Sequence, residues 1–248
     1  MTLDLFGERY RSKPLAALYM AATILAAHVL EFLVPGRWFL PVVAGLGFWL
    51  LFAHPLRRGE YGRAVSYALV WAGMMVVFQV ALSALWPGLM EENIIRASAY
   101  RDEMFNWVRT GEGAEGNIAL FLPIHLRHFG LFCVLSAASG GSLGLVLGAV
   151  MLGYMNFYVG SLIAASGSSP EAFLLGWQIW AIVRVIGFIA AGTALGGLLV
   201  NRPADSGVKR KAVLRWLGIA VALIVADIVL KWALAGTYQG ILNGVLGG

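Results

Sequence analysis

From Ile118 to Ala165 the chain is apolar for nearly fifty residues, broken only by the small uncharged cluster Ser139-Gly140-Gly141-Ser142. A hydrocarbon layer of about 30 Å takes roughly 20 helical residues. A run of this length therefore reads as two crossings joined by a tight turn, and the rest of the 248 residues follows suit. Apolar residues make up 60% of the chain and charged ones 12%, about half the charged share of an ordinary soluble domain. The mean hydropathy of +0.78 points the same way. A soluble globular domain, a disordered chain and a collagen-like repeat are excluded, and the single cysteine, Cys133, excludes a disulfide scaffold.

Seven spans are predicted, in one membrane domain covering 1–248: 15–34, 38–54, 64–86, 118–139, 143–165, 172–200 and 216–234. The fold class is all-α, a polytopic bundle of about seven transmembrane helices with one amphipathic helix on its outer surface. The apolar run after Arg9, Arg11 and Lys13 is too long for a signal peptide and lacks a convincing cleavage site, so it is read as a retained anchor. Pro35-Gly36, Pro55 and Pro87-Gly88 punctuate the first three spans. Segment 88–117 differs in character. It holds nine of the chain's 31 acidic and basic residues, and its apolar residues Ile94, Ile95, Tyr100, Met104, Phe105 and Trp107 suit a helix lying on the membrane surface or against a partner. The uncharged, glycine-rich tail runs from Gly236 to Gly248.

Lys and Arg set the orientation. With the N-terminus inside, eleven lie on inner segments, among them Arg57, Arg58, Arg63 and the 202–215 loop, and four lie on outer ones: Arg37, Arg96, Arg101 and Arg109. The positive-inside rule then places the chain in a bacterial inner membrane, N-terminus cytoplasmic, C-terminus and segment 88–117 outside. The excess of basic residues, with a formal net charge of +5, points to anionic lipids as partners and not to nucleic acid.

Glycines crowd the fourth to sixth spans. Gly144 and Gly148 form one GxxxG, and Gly192 and Gly196 another. Such small faces let helix backbones approach, within the chain or against another membrane subunit.

The stretch His125-Leu126-Arg127 through Gly144 to Gly148, the segment Tyr154-Met155-Asn156-Phe157-Tyr158-Val159-Gly160, Pro170 to Gly176, and Ile189 to Gly196 resemble the stage II sporulation protein M family, over about residues 117–200. The resemblance implies a non-enzymatic membrane component working in a multiprotein assembly or beside transporters, with Asn156 as the residue carried over. Many members of that family have Pro-His-Gly followed by Glu in the sixth helix. Here that register reads Ile179-Trp180-Ala181-Ile182-Val183-Arg184, with Arg in place of Glu. A second, partial resemblance is to CAAX-type intramembrane proteases: Glu91-Glu92-Asn93-Ile94-Ile95-Arg96 matches EExxxR, and Phe121-Leu122-Pro123-Ile124-His125 matches FxxxH. It implies Glu91, Glu92 and His125 as catalytic groups activating water; the downstream His is absent, Leu152 standing there.

Ionisable groups within spans need partners. Asp227 and Lys231 are one helical turn apart and are expected to neutralise each other near the outer interface. Arg184, near the middle of the sixth span, is expected to reach Glu31, Asp227, Asn156 or a partner subunit. His28 with Glu31, and His125 with His128, are i, i+3 pairs at one membrane depth, so together they could hold a metal, or two of the histidines a haem. No cofactor is otherwise predicted, since nucleotide and nucleophile motifs are absent. The reading is a non-catalytic subunit of a multiprotein inner-membrane complex that docks other membrane subunits through its Gly-rich helices and charged outer segment. The alternatives are a permease subunit with a polar path near Asn156 and Arg184, and a metalloprotease-like or metal- or haem-binding protein using His125 and His128.

Overall fold

The computed structural model describes residues 12–34, 36–200 and 206–247; Arg9, Arg11, Pro35 and Arg202, used above in placing spans and charges, lie outside them. Among the described residues there are ten helices and no strand. They are α1 (Lys13–Leu33), α2 (Phe39–Arg57), α3 (Tyr61–Leu85), α4 (Pro87–Asn93), α5 (Ala97–Thr110), α6 (Ile118–Ser139), α7 (Ser142–Ala165), α8 (Pro170–Leu175), α9 (Ile179–Val200) and α10 (Ser206–Val245). Seven helical segments are long and apolar enough to cross a membrane. The protein is an all-α, multi-pass membrane bundle.

Helix ends follow local chemistry. Asn117 caps α6, its side-chain oxygen accepting from the Ala119 N–H at 3.0 Å. Between α6 and α7 the chain reverses in two residues, Gly140 and Gly141, at φ of 63° and 92°, a left-handed pair that side chains with a Cβ disfavour. Pro170 starts α8 and the Ser169 hydroxyl accepts from the Ala172 N–H at 3.1 Å.

Three features differ from the sequence reading. The single amphipathic outer helix is two, α4 and α5, broken between Asn93 and Ala97 where Arg96 takes a left-handed backbone. The sixth span is interrupted: α8 ends at Leu175, and α9 starts at Ile179 after Gly176, Trp177 and Gln178. Gly176 fits tightly there, since a Cβ would meet the Ala172 carbonyl oxygen at 2.6 Å and Val159 at 2.9 Å. The seventh span, read as 216–234, lies inside a 40-residue helix that runs on through most of the glycine-rich tail. At 1.5 Å per residue α10 is about 60 Å long, roughly twice a hydrocarbon core. Its buried residues Val213, Ala220, Ile224, Asp227, Lys231, Ala235 and Leu242 form one stripe at helical spacing, and that stripe holds the tail against the bundle although Gly236, Gly240 and Gly244 weaken helix propensity.

α7 is central, packing on α2, α3, α5 and α6, while α9 lies between α6 and α10. Lipid tails are as apolar as the core, so close packing and interhelical polar contacts hold such helices together. The glycines serve that packing. A Cβ on Gly144 would overlap the Ser136 hydroxyl, and on Gly192 would meet Phe132 at 3.1 Å; on Gly196 it would meet the Gly141 nitrogen at 3.1 Å. Gly148 has looser surroundings, its nearest neighbour Phe132 at 3.8 Å. Gly160, one of the crowded glycines, and Gly45, which sequence pattern did not single out, both meet backbone: Val80 at 2.8 Å and Val146 at 2.9 Å from the would-be Cβ. The faces of Gly144, Gly192 and Gly196 are thus occupied by this chain itself.

At one end of the bundle α4 and α5 form a cap. The apolar face of α5, with Ala97, Met104, Trp107 and Val108 buried, sits on α7, where Tyr100 and Tyr154 approach at 4.7 Å and Phe105 and Tyr158 at 6.1 Å. Arg37 donates to the Glu92 carbonyl at 2.8 Å and Gln239 to the Val108 carbonyl at 2.7 Å, fastening the cap from two sides. Asp102, Glu103, Arg109 and Glu112 remain exposed.

Candidate functional site: a buried charge cluster beneath the cap

Three helices each contribute two residues one turn apart: Phe121 and His125 from α6, Trp180 and Arg184 from α9, Asp227 and Lys231 from α10. An i, i+4 spacing puts both members on one face, and the three faces meet. The deeper layer holds Arg184, Asp227 and His125. Arg184 grips Asp227 with two hydrogen bonds, Nε to Oδ2 and Nη2 to Oδ1, each 3.1 Å. This fork geometry is the strong form of the guanidinium–carboxylate pair. His125 Nε2 lies 3.2 Å from Asp227 Oδ2, beside the carboxylate but out of line for a hydrogen bond.

The layer nearer the cap holds Phe121, Trp180, Lys231 and Glu115. Lys231 Nζ is 2.9 Å from Glu115 Oε2, a charge contact without hydrogen-bond alignment, and Trp180 Nε1 donates to the same oxygen at 3.3 Å. The ammonium also lies 3.3 Å from the centre of the Phe121 ring, and the Arg184 guanidinium carbon 5.0 Å from it, so one aromatic face serves two cations. His125 stacks on the same ring at 4.9 Å. Two carboxylates and two cations balance, and Asp227 is fully buried. Glu115 comes from the loop between α5 and α6. It is aimed inward because Gly116 abuts the α5 end so closely that a Cβ would meet the Gly111 carbonyl oxygen at 2.6 Å. On the cap, burial and the nearby Glu115 carboxylate hold the Tyr100 phenol well above its ordinary pKa, so Tyr100 stays neutral.

Two cavities flank Phe121 and Glu115. One, about 90 Å³, reaches Lys231 and Trp232. The other, about 130 Å³, lies between α5, α6 and α7 and is lined by Arg96, Arg127, His128 and Arg184 among others. A third space, apolar and about 60 Å³, runs from Gly141 past Gly148 to Arg184 and shares Met151, Met155 and Arg184 with the second.

No protein-family model, curated protein or solved structure matches the chain. The chemistry of the site therefore follows from its geometry alone.

The expected residues are distributed as follows. Asp227 and Lys231 do not neutralise each other as the i, i+4 spacing suggested: each has a partner on another segment, because their side chains point across the bundle to α9 and to the 111–117 loop. Of the partners proposed for Arg184, Asp227 takes the role. Asn156 is elsewhere, fully buried between α7 and α3, donating to Gln79 Oε1 at 2.6 Å and to the Met75 carbonyl at 3.4 Å. It lines neither the polar cavity nor the apolar one, so the polar path expected near both Asn156 and Arg184 touches Arg184 alone.

The two histidine pairs stay apart. His28 and Glu31 are buried on α1, which packs on α2, α3 and α4, while His125 and His128 are on α6, packed on α7, α9 and α10. Among the described residues no three His, Cys, Asp or Glu side chains are grouped as metal ligands. Glu91 is engaged by Arg101, at 2.6 and 3.3 Å, and His125 by Asp227. Glu92 is exposed.

Glu115, Phe121, Trp180 and Gln79 were missed. Charge balance could have found Glu115: once Asp227 is assigned to Arg184, Lys231 lacks a carboxylate, and segment 88–117 is the nearest source.

Proposed function

We propose that the chain is a non-catalytic integral subunit of a multiprotein complex in a bacterial inner membrane, N-terminus cytoplasmic, with the α4–α5 cap on the outer side as its docking surface. One observation carries this reading: the cap is fastened to the bundle by Glu115–Lys231, Gln239–Val108 and Arg37–Glu92, while Asp102, Glu103, Arg109 and Glu112 are left exposed on its free face. A charged surface anchored by one buried ion pair and two side-chain hydrogen bonds to backbone carbonyls suits recognition by a partner of complementary charge. The buried charges satisfy one another, which suits a structural role better than proton or group transfer. The test is mild-detergent purification of the full chain with and without Asp102→Lys and Glu112→Lys. Stoichiometric partners that disappear with the double substitution support the reading, and a stable chain that purifies alone overturns it.

A second reading, a permease subunit, is favoured by the polar and apolar cavities meeting at Met151, Met155 and Arg184. With Cys133→Ala as background, Gly148→Cys would react with a membrane-impermeant thiol reagent if the two spaces join into a water path. Absence of reaction removes this reading.

A further inference from the structure

Arg127 is exposed on α6, nine residues beyond its start, or about 13 Å along the helix. Its neighbours Leu120, Ile124, Leu126 and Leu131 are exposed and apolar, so this face of α6 meets lipid. A guanidinium at such a position is costly without an anionic partner, and among the described residues no carboxylate pairs with it. Arg96 and Arg127 both line the 130 Å³ cavity. Arg96 too is exposed and unpaired among the described residues, resting over the Tyr154 ring at 5.9 Å. Its backbone is left-handed, φ 61° and ψ 19°, a conformation uncommon for a residue with a Cβ. In the cavity wall, His125 is almost fully buried with its Nε2 turned to Asp227 Oδ2 at 3.2 Å, while His128 is half-buried.

The lining carboxylates do not cancel this charge. Glu115 is engaged by Lys231, and Glu103 on the exposed face of α5 is one carboxylate against two guanidiniums.

We propose that this cavity is a phosphate site, in which Arg96 and Arg127 clamp the phosphodiester of a lipid whose acyl chains lie along the exposed apolar face of α6. Guanidinium forks match phosphate oxygens. The cavity has room for a phosphate group but not for acyl chains, and the rim residue Ile124 leads directly onto the lipid-facing surface. The site stands whether or not the chain is a complex subunit.

The full-length protein, purified in detergent and stripped of lipid, is titrated with dioleoyl-phosphatidylglycerol, with dioleoylglycerol (the same chains without phosphate), and with inorganic phosphate, reading bound fraction by native mass spectrometry and melting temperature. Phosphatidylglycerol is expected to bind at least about tenfold better than dioleoylglycerol, from two guanidinium–phosphate contacts. Arg96→Gln with Arg127→Gln reduces it to the dioleoylglycerol level, and Arg127→Lys on the wild-type background keeps part of the preference. Stabilisation by inorganic phosphate that the double substitution removes, with no added gain from phosphatidylglycerol, upholds the phosphate chemistry and assigns a soluble source. Equal binding of the two lipids by the wild type with no effect of inorganic phosphate overturns the proposal, as does undiminished phosphatidylglycerol binding by a double variant that melts like the wild type in detergent. The wild-type comparison alone decides if the variant fails to fold.

Discussion

Arg184 and Asp227 are 43 residues apart in sequence and meet through two 3.1 Å hydrogen bonds between α9 and α10. With Asp227 fully buried, the pair ties together the two helices that form the largest helix–helix interface of the bundle.

Removing one member leaves the other charge buried and unpaired. Asp227→Leu or Arg184→Met alone is expected to destabilise by about 3–5 kcal/mol, and the two together to recover most of the loss, because an apolar pair carries no desolvation penalty. Reversible unfolding of the four proteins in detergent closes the cycle. Additive losses would mean that the two residues act independently.

Glu115 fastens the cap through Lys231 and Trp180. Glu115→Gln should release the 111–117 loop, seen as faster proteolytic cleavage there with the helical signal unchanged. Adding Lys231→Met should restore resistance in part, since the stranded ammonium is then gone.

Asn156 and Gln79 form a polar clasp between α7 and α3. Interhelical hydrogen bonds of this kind contribute about 0.6–2 kcal/mol in a bilayer. Asn156→Ala and Gln79→Ala should each destabilise by that order and the double variant by no more than either, measured by the same unfolding assay.

Glycine substitutions should divide by what a Cβ meets. Gly45→Ala presses on the Val146 backbone at 2.9 Å, which cannot yield as a side-chain tip can, and is expected to destabilise by about 1–3 kcal/mol. Gly148→Ala meets only Phe132 at 3.8 Å and faces the apolar cavity, so its melting temperature should stay level or rise.

Topology is checked by thiol labelling on a Cys133→Ala background. With three crossings between them, α6, α7 and the interrupted α8–α9 segment, Glu112→Cys and Arg210→Cys, both at exposed positions, should react from opposite sides of the membrane, Glu112→Cys from the outside. Labelling of both from one side would require one crossing to be removed.

Much of the fold was legible in the chain because a bilayer is a simple solvent. Length and hydropathy alone specify a helix that can span it, and Pro87, Gly140 and Pro170 stop or turn the backbone by their own stereochemistry. Local chemistry could not foresee the continuation of α10 through Gly236, Gly240 and Gly244, since the stripe that holds it is completed by α5 and α9. Nor could it choose partners for buried charges. Asp227 and Lys231, one turn apart, look like a pair on an isolated helix, but side chains on one helical face point together toward a neighbour, and what that neighbour offers is set by tertiary packing. The sequence by itself determined that this chain crosses a membrane repeatedly and must hide a few charges. Only the folded bundle decided that Arg184 takes Asp227, that Glu115 descends from the cap to Lys231, and that Arg96 and Arg127 are left facing an open cavity, because Coulomb pairing depends on distances in space and not on separation along the chain.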